Sequence, residues 1–144
     1  MTEAISFGWI DSKPRALDES RSMIWYAPCK PGSAWSKRNK ERVERAIASK
    51  RMTPAGAQKI AAAKKDGSWS ALDAVERLEI PADLAHALAQ FEHAANFFEA
   101  FPRSVKRSIL EWIGNAKTSA TRSKRIDETA RLAANNVRAH QWRR

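Results

Sequence analysis

The chain opens with two short apolar and aromatic stretches separated by a polar turn. Residues 7–17 read Phe-Gly-Trp-Ile-Asp-Ser-Lys-Pro-Arg-Ala-Leu, and residues 22–27 read Ser-Met-Ile-Trp-Tyr-Ala. Between them lies Asp18-Glu19-Ser20-Arg21. Two extended segments around such a turn predict a β-hairpin over 7–29. Pro14 belongs at an edge or at the start of a strand, because it has no N–H to give a ladder. A hairpin alone is marginal in water and must pack on other elements.

From Ser33 the apolar spacing becomes helical. Ser33 or Ser36 can cap a helix running to about Lys50, with Trp35, Asn39, Val43, Ala46 and Ile47 on one face. Thr53-Pro54 restarts a helix with a cap and a first-turn proline, and Gly67 ends it in a left-handed conformation. Residues 67–80 predict a loop or short helix anchored by Trp69 and Leu72. Pro81 opens the next helix, with Leu84, Leu88 and Phe91 at i, i+4 and i+7. Phe97, Phe98 and Phe101 form a short segment closed by Pro102. Val105, Ile109, Trp112, Ile113 and Ala116 then share a face. A last helix from about Ser119 to Asn135 turns Ile126, Ala130, Ala133 and Val137 inward. The predicted fold is mostly α within an α+β class, a hairpin packed on a bundle of five to six short helices. It forms one domain over 1–137, followed by a basic, frayed tail at 138–144.

Charge changes this picture. The 144 residues hold 26 Lys+Arg and 16 Asp+Glu, a net charge of +10. It is segregated: −1 over 1–29, +9 over 30–65, −6 over 66–102 and +8 over 103–144. Two basic blocks flank an acidic one, which bears on partners and internal docking rather than on fold. The acidic middle can neutralise its neighbours, or the blocks can face a polyanion. No apolar run approaches the roughly 18 residues of a membrane span. No basic n-region precedes an apolar one at the N-terminus, and the single cysteine, Cys29, closes no internal disulfide. A cytoplasmic location is expected.

Several word-like stretches carry a resemblance. Phe7-Gly-Trp-Ile-Asp11 with Arg15 and Asp18, Ala27-Pro-Cys-Lys-Pro-Gly-Ser33-Ala-Trp35-Ser36-Lys-Arg-Asn39, and Lys50-Arg-Met52-Thr-Pro-Ala-Gly56 are the first three. Asp66-Gly-Ser-Trp69 and the run from Ala116 to Ile126 complete the set. In this order they resemble the YdeI/OmpD-associated family, also called bacteriocin-protection proteins, over nearly the whole chain. The resemblance implies a part in resistance to bacteriocins or cationic peptides, with no reaction and no ligand attached to it. The resemblance implies a further N-terminal segment before Phe7, so a shortened or naturally short member is expected, and Cys29 stands where an arginine is usual in the family.

Candidate chemistry is sparse. His86 and His93 lie two helical turns apart, outside the i, i+4 geometry of a helical zinc pair, and His140 is remote. Lys30 beside Cys29 could depress the thiol pKa, yet no histidine base accompanies it. There is no glycine-rich phosphate loop and no nucleophile-elbow serine. No catalytic residue, metal or cofactor is therefore expected. Trp9, Asp11, Arg15, Ser33, Trp35, Asn39, Lys117, Thr121 and Arg122 are the candidate ligand-binding residues. Asp11 and Arg15 read either as a structural pair or as ligand contacts, and Trp35 as a hairpin anchor or a stacking platform. Lys117, Thr121 and Arg122 sit where a helix start can gather an anion or be capped. Lys37, Arg38, Lys40, Arg42, Arg45, Lys124 and Arg125 are the candidate polyanion contacts. Three functions follow: a non-enzymatic protection protein, a sequence-tolerant nucleic-acid or polyanion binder, and a small-molecule binder with a hairpin–helix pocket. Convergence of Asp11, Arg15, Ser33, Asn39 and Arg122 on one concavity would favour binding.

Overall fold

A computed structural model of the chain describes residues 2–11 and 14–141. The chain folds as two compact units, Met1–Asp73 and Ala74–Arg144, where the sequence grouped 1–137 as one domain.

The first unit begins with a helical turn that the apolar pattern does not reveal, α1 (Thr2–Ser6). The predicted hairpin follows as two short antiparallel ladders. Strand β1 (Trp9–Asp11) pairs with β4 (Tyr26–Pro28), and β2 (Arg15–Ala16) pairs with β3 (Ser22–Met23). The polar turn closes as expected. Leu17 N donates to Arg21 O (2.9 Å), and the Asp18 carboxylate accepts from the backbone N–H groups of Ser20 and Arg21. Pro14 directly precedes β2, where no ladder donor is required.

Helix α2 (Lys37–Ala48) starts at Ser36, whose hydroxyl accepts from Asn39 N, so Ser36 and not Ser33 is the cap. Helix α3 (Pro54–Asp66) has the expected Thr53 cap, with Pro54 in its first turn and Gly67 at φ +82° at its end. Ile5, Cys29, Trp35, Val43, Ile60 and Ala63 form the core, with Ile10, Met52 and Trp69 packed against it. One residue departs from the predicted face: Ile47 is 56% exposed, and Arg42 is buried on α2 instead. Arg42 is tolerated there through the ion pair described below.

A single turn, α4 (Asp73–Glu76), occupies part of the predicted 67–80 loop, with Leu72 buried as its anchor. The second unit continues with α5 (Ala82–Ala89), α6 (Ala94–Ala100), α7 (Arg103–Gly114) and α8 (Ser119–Ala134). This gives eight helices among the described residues, more than the five to six expected, because α1 and α4 add single turns. Helix α8 packs against α5, α6 and α7. Its inward positions are small: Ala130 and Ala133 are fully buried, which lets three neighbours approach one helix. Leu84, Leu88, Phe98, Ile109, Leu110 and Ile113 fill the space between them.

Two expectations for the C-terminal end change. Val137 is exposed, because the chain turns out of α8 at Asn135. Residues of the supposed frayed tail dock instead: Ala139 is 1% exposed within the core, and His140 stacks on Trp112 at 4.9 Å. Residues 142–144 of that tail lie outside the described residues.

Candidate functional site

Of the residues that the sequence marked in the first unit, Asp11, Asn39 and Arg42 come together. Asp11 ends β1, and Arg42 lies one turn into α2 on its buried side. Arg42 Nη1 donates to Asp11 Oδ1 at 2.9 Å and to Asn39 Oδ1 at 3.1 Å. Arg42 is 7% exposed at its side chain and Asp11 21%. A charge this buried must be paired and hydrogen-bonded to be tolerated, and the bonds to Asp11 and Asn39 meet that need for Arg42 beside Val43 and Ala46 on the buried side of α2. Burial alone would raise the Asp11 pKa. The hydrogen bond and the positive charge of Arg42, with Arg38 adding at longer range, outweigh it and hold the carboxyl below its ordinary value.

This corrects the Asp11–Arg15 pairing read from their spacing. Four residues apart means neighbours on a helix, whereas Asp11 ends β1 and Arg15 stays exposed on β2. Ser33 is half-buried, its N–H donating to Lys30 O in a tight turn. Trp9 is 43% exposed on β1. Trp35 is 2% exposed and packs on Trp69 with ring centroids 5.1 Å apart, so it anchors the core and does not offer a stacking face.

Trp35 instead lines a small cavity of about 50 Å³, together with Cys29, Ala63, Asp66 and Ser68, and with Lys30 and Lys59. Asp66 stitches its walls together, accepting from Gly32 N at 3.1 Å and Ser68 N at 2.9 Å. Bonds from Ser68 and from Gly32 hold the Asp66 carboxyl below its ordinary range against a small desolvation cost. The Trp35 indole N–H is a buried donor with no hydrogen-bond partner among the described residues. The Cys29 thiol does not behave as its neighbour Lys30 suggested. Burial pushes its pKa up, Lys59 opposes this only in part, and Asp66 adds to the rise. A thiol held protonated is a poor nucleophile.

The remaining candidates lie in the second unit. Arg122 Nε and Nη2 donate to Asp83 Oδ2 and Oδ1 at 2.7 and 3.0 Å, a bidentate pair across α8 and α5. The pair raises the Arg122 pKa and lowers that of Asp83. Thr118 Oγ1 accepts from Thr121 N and donates to Thr121 Oγ1, while Lys117 is exposed. The helix start that was a candidate anion site is thus closed by its own cap. Thr118→Ala is expected to cost about 1 kcal/mol in urea unfolding, while Lys117→Ala leaves the midpoint unchanged.

The polyanion candidates divide by what else they touch. Lys40 pairs with Asp73 and lies 5.3 Å from the Trp69 ring centroid. Arg42 is buried as described, and Arg45 Nε donates to Glu41 O. Arg125 donates to Trp112 O and sits over that ring at 5.0 Å. Lys37, Arg38 and Lys124 are exposed. Among the described residues no group of three or more His, Cys, Asp or Glu side chains is placed to hold a metal ion. Sequence reasoning missed Lys59, Asp66 and Ser68 as walls of the cavity, although Asp66 and Ser68 stand in the fourth motif that it singled out.

Two family models match the chain. Residues 77–136 match Bacteriocin-protection, YdeI or OmpD-Associated, and residues 1–59 match Domain of unknown function (DUF8412). No curated protein and no solved structure matches. The first match supports the family read from the sequence and lies within the second unit, where it contains the motif at 116–126. The motifs at 7–18, 27–39 and 50–56 fall instead in the stretch matched by the second family model.

Proposed function

We propose that this protein, whose residues 77–136 carry the YdeI or OmpD-associated domain, is a non-enzymatic, cytoplasmic protection protein that acts by binding. The match over 77–136 is the observation that carries this reading. Asp11, Arg15, Ser33, Asn39 and Arg122 do not converge: Asp11–Arg42 in the first unit and Asp83–Arg122 in the second satisfy themselves, which supports a structural part for these residues, so the binding role rests on the family match alone. No helix among the described residues is long and apolar enough to cross a membrane.

Electrostatics limits how protection can work. With 14 Lys+Arg against 8 Asp+Glu the first unit carries +6, and with 12 against 8 the second carries +4. Both repel a cationic peptide at long range, so protection is indirect or uses the acidic 66–102 segment locally, and not general electrostatic capture. Bacteria expressing the chain, challenged with a panel of bacteriocins and cationic peptides, are expected to survive better than cells with empty vector. Purified protein is expected not to retain those peptides at low salt. Unchanged survival would sink the protection reading, and retention that persists at high salt would sink the indirect mechanism.

A polyanion-binding role is the second reading, favoured by the exposed Lys37 and Arg38, which form no ion pair among the described residues. Its signature is a linear fall of log K with log salt, steeper for each phosphate neutralised. Loss of both side chains in Lys37→Ala/Arg38→Ala is expected to flatten that slope by about two.

A further inference from the structure

Helices α2 and α3 leave one stripe between them without a partner. On α3, Ala57, Ile60, Ala61 and Lys64 recur at i, i+3, i+4 and i+7, the spacing of a single helix face. Ile60 is 7% exposed and forms a floor, while Ala57 and Ala61 are exposed and too small to fill the space above it. Ile47 faces the same space from α2, and Met52 from the connection, completing a groove of about 530 Å³. That volume lies within the range of small-molecule clefts, and its walls are mainly apolar with two cations, Lys50 and Lys64.

Lys50 is the informative residue. It follows α2 at φ +56°, in the left-handed position where glycine or asparagine ordinarily ends a helix. Lys50 N donates to Ile47 O and Arg51 N to Ala46 O, so the backbone there is a regular helix-ending turn and glycine would suit it better. The lysine is carried at a conformational cost, and it forms no ion pair among the described residues. Lys64 differs: its ammonium lies 5.3 Å from the Trp69 ring centroid. The groove therefore has an apolar body, one unengaged cation at one end, and no carboxylate lining it.

We propose that this groove binds a free amphiphilic carboxylate, its acyl chain lying between Ile47 and the small residues of α3 and its carboxylate paired with Lys50. The walls run over 47–52 and 57–64, two helical turns or about 10 Å along α3, which suits a medium-length chain. Charge complementarity selects the anion, since the unit around the groove carries +6. Cationic and uncharged amphiphiles lack a partner for Lys50. This assignment stands independently of the protection reading.

Decanoate, titrated into the full chain below its micelle concentration and followed by amide chemical shifts, tests the proposal. Saturable shifts are expected over residues 47–64. Lys50→Gly is expected to fold at least as well as the parent chain, yet to weaken decanoate about tenfold, the effect of one lost charge-assisted contact. Ala61→Trp, at an exposed position, is expected to abolish saturation by filling the groove. Equal binding of decanol, or shifts spread equally to the exposed Phe7 and Trp25, would overturn the proposal. So would retained affinity in Lys50→Gly, or no saturation at all. Sedimentation with phosphatidylglycerol vesicles that Lys50→Gly abolishes, without decanoate binding, would place the anion in a bilayer and overturn the free ligand.

Discussion

Gly56→Ala is expected to destabilise the first unit by about 3 kcal/mol, the upper end of what overpacking a core costs. Gly56 lies in the first turn of α3, where that helix crosses the end of α1. A Cβ at this position would stand 2.8 Å from the Ser6 carbonyl carbon, closer still to its oxygen, and 2.7 Å from Met52 Sδ. The thioether can swing away, but the carbonyl cannot. Ser6 O accepts from Thr53 N at 3.1 Å and from Thr53 Oγ1 at 2.6 Å, so the cap of α3 holds the obstructing oxygen in place. Relief requires α1 to lift off and surrender the burial of Ile5, which is 2% exposed. Urea unfolding of the first unit measures the loss. Gly114→Ala, in the second unit, is the control for the exchange itself, read from that unit's own unfolding, because an added Cβ there meets nothing within 4 Å. Helix propensity alone then favours alanine, by about 0.5–1 kcal/mol. A Gly56→Ala midpoint equal to that of the parent chain would show that α1 does not depend on this contact.

The same glycine shows where the sequence ran out. A glycine inside a helix costs stability relative to alanine, so its presence signals a packing reason without saying what approaches it. The approaching element, α1, is five residues long with no periodicity to detect. Where a device is local, sequence reading succeeded: the Thr53-Pro54 start, the Gly67 stop and the Asp18 turn each act within a few residues. Where a residue is fixed by a partner far along the chain, it failed. Arg42 reads as one cation in a basic run, and Asp66 as the end of a helix. Only the fold brings Asp11 within reach of one, and Gly32 within reach of the other. The motifs at 27–39 and 66–69 both supply walls of one cavity, but the sequence could not show that Trp35 faces inward. The burial of Arg42 was equally hidden, because the partner that compensates its charge lies 31 residues away.

Asp11→Ala is expected to cost about 3 kcal/mol, the lower end for breaking a buried pair, because Asp11 keeps some solvent contact. The loss is larger than the worth of the pair itself. The Arg42 guanidinium would remain buried with its Asp11 carboxylate partner gone, so less of its desolvation would be offset. A paired replacement, Asp11→Leu with Arg42→Met, is therefore expected to recover most of the stability, since it removes both charges and keeps apolar volume. The pH dependence carries the same information with a definite sign. The folded Asp11 carboxyl has its pKa below the ordinary 3.8, so the unfolded chain binds the proton more readily. The contribution of Asp11 is fully present above 3.8 and disappears as pH falls through the lower, folded value. Asp11→Asn, which lacks this titration, is expected to fall below the parent chain at neutral pH, with the gap narrowing as pH drops below 3.8. A gap that stayed constant down to the acid transition would mean that Asp11 is held in the fold by shape and not by its charge.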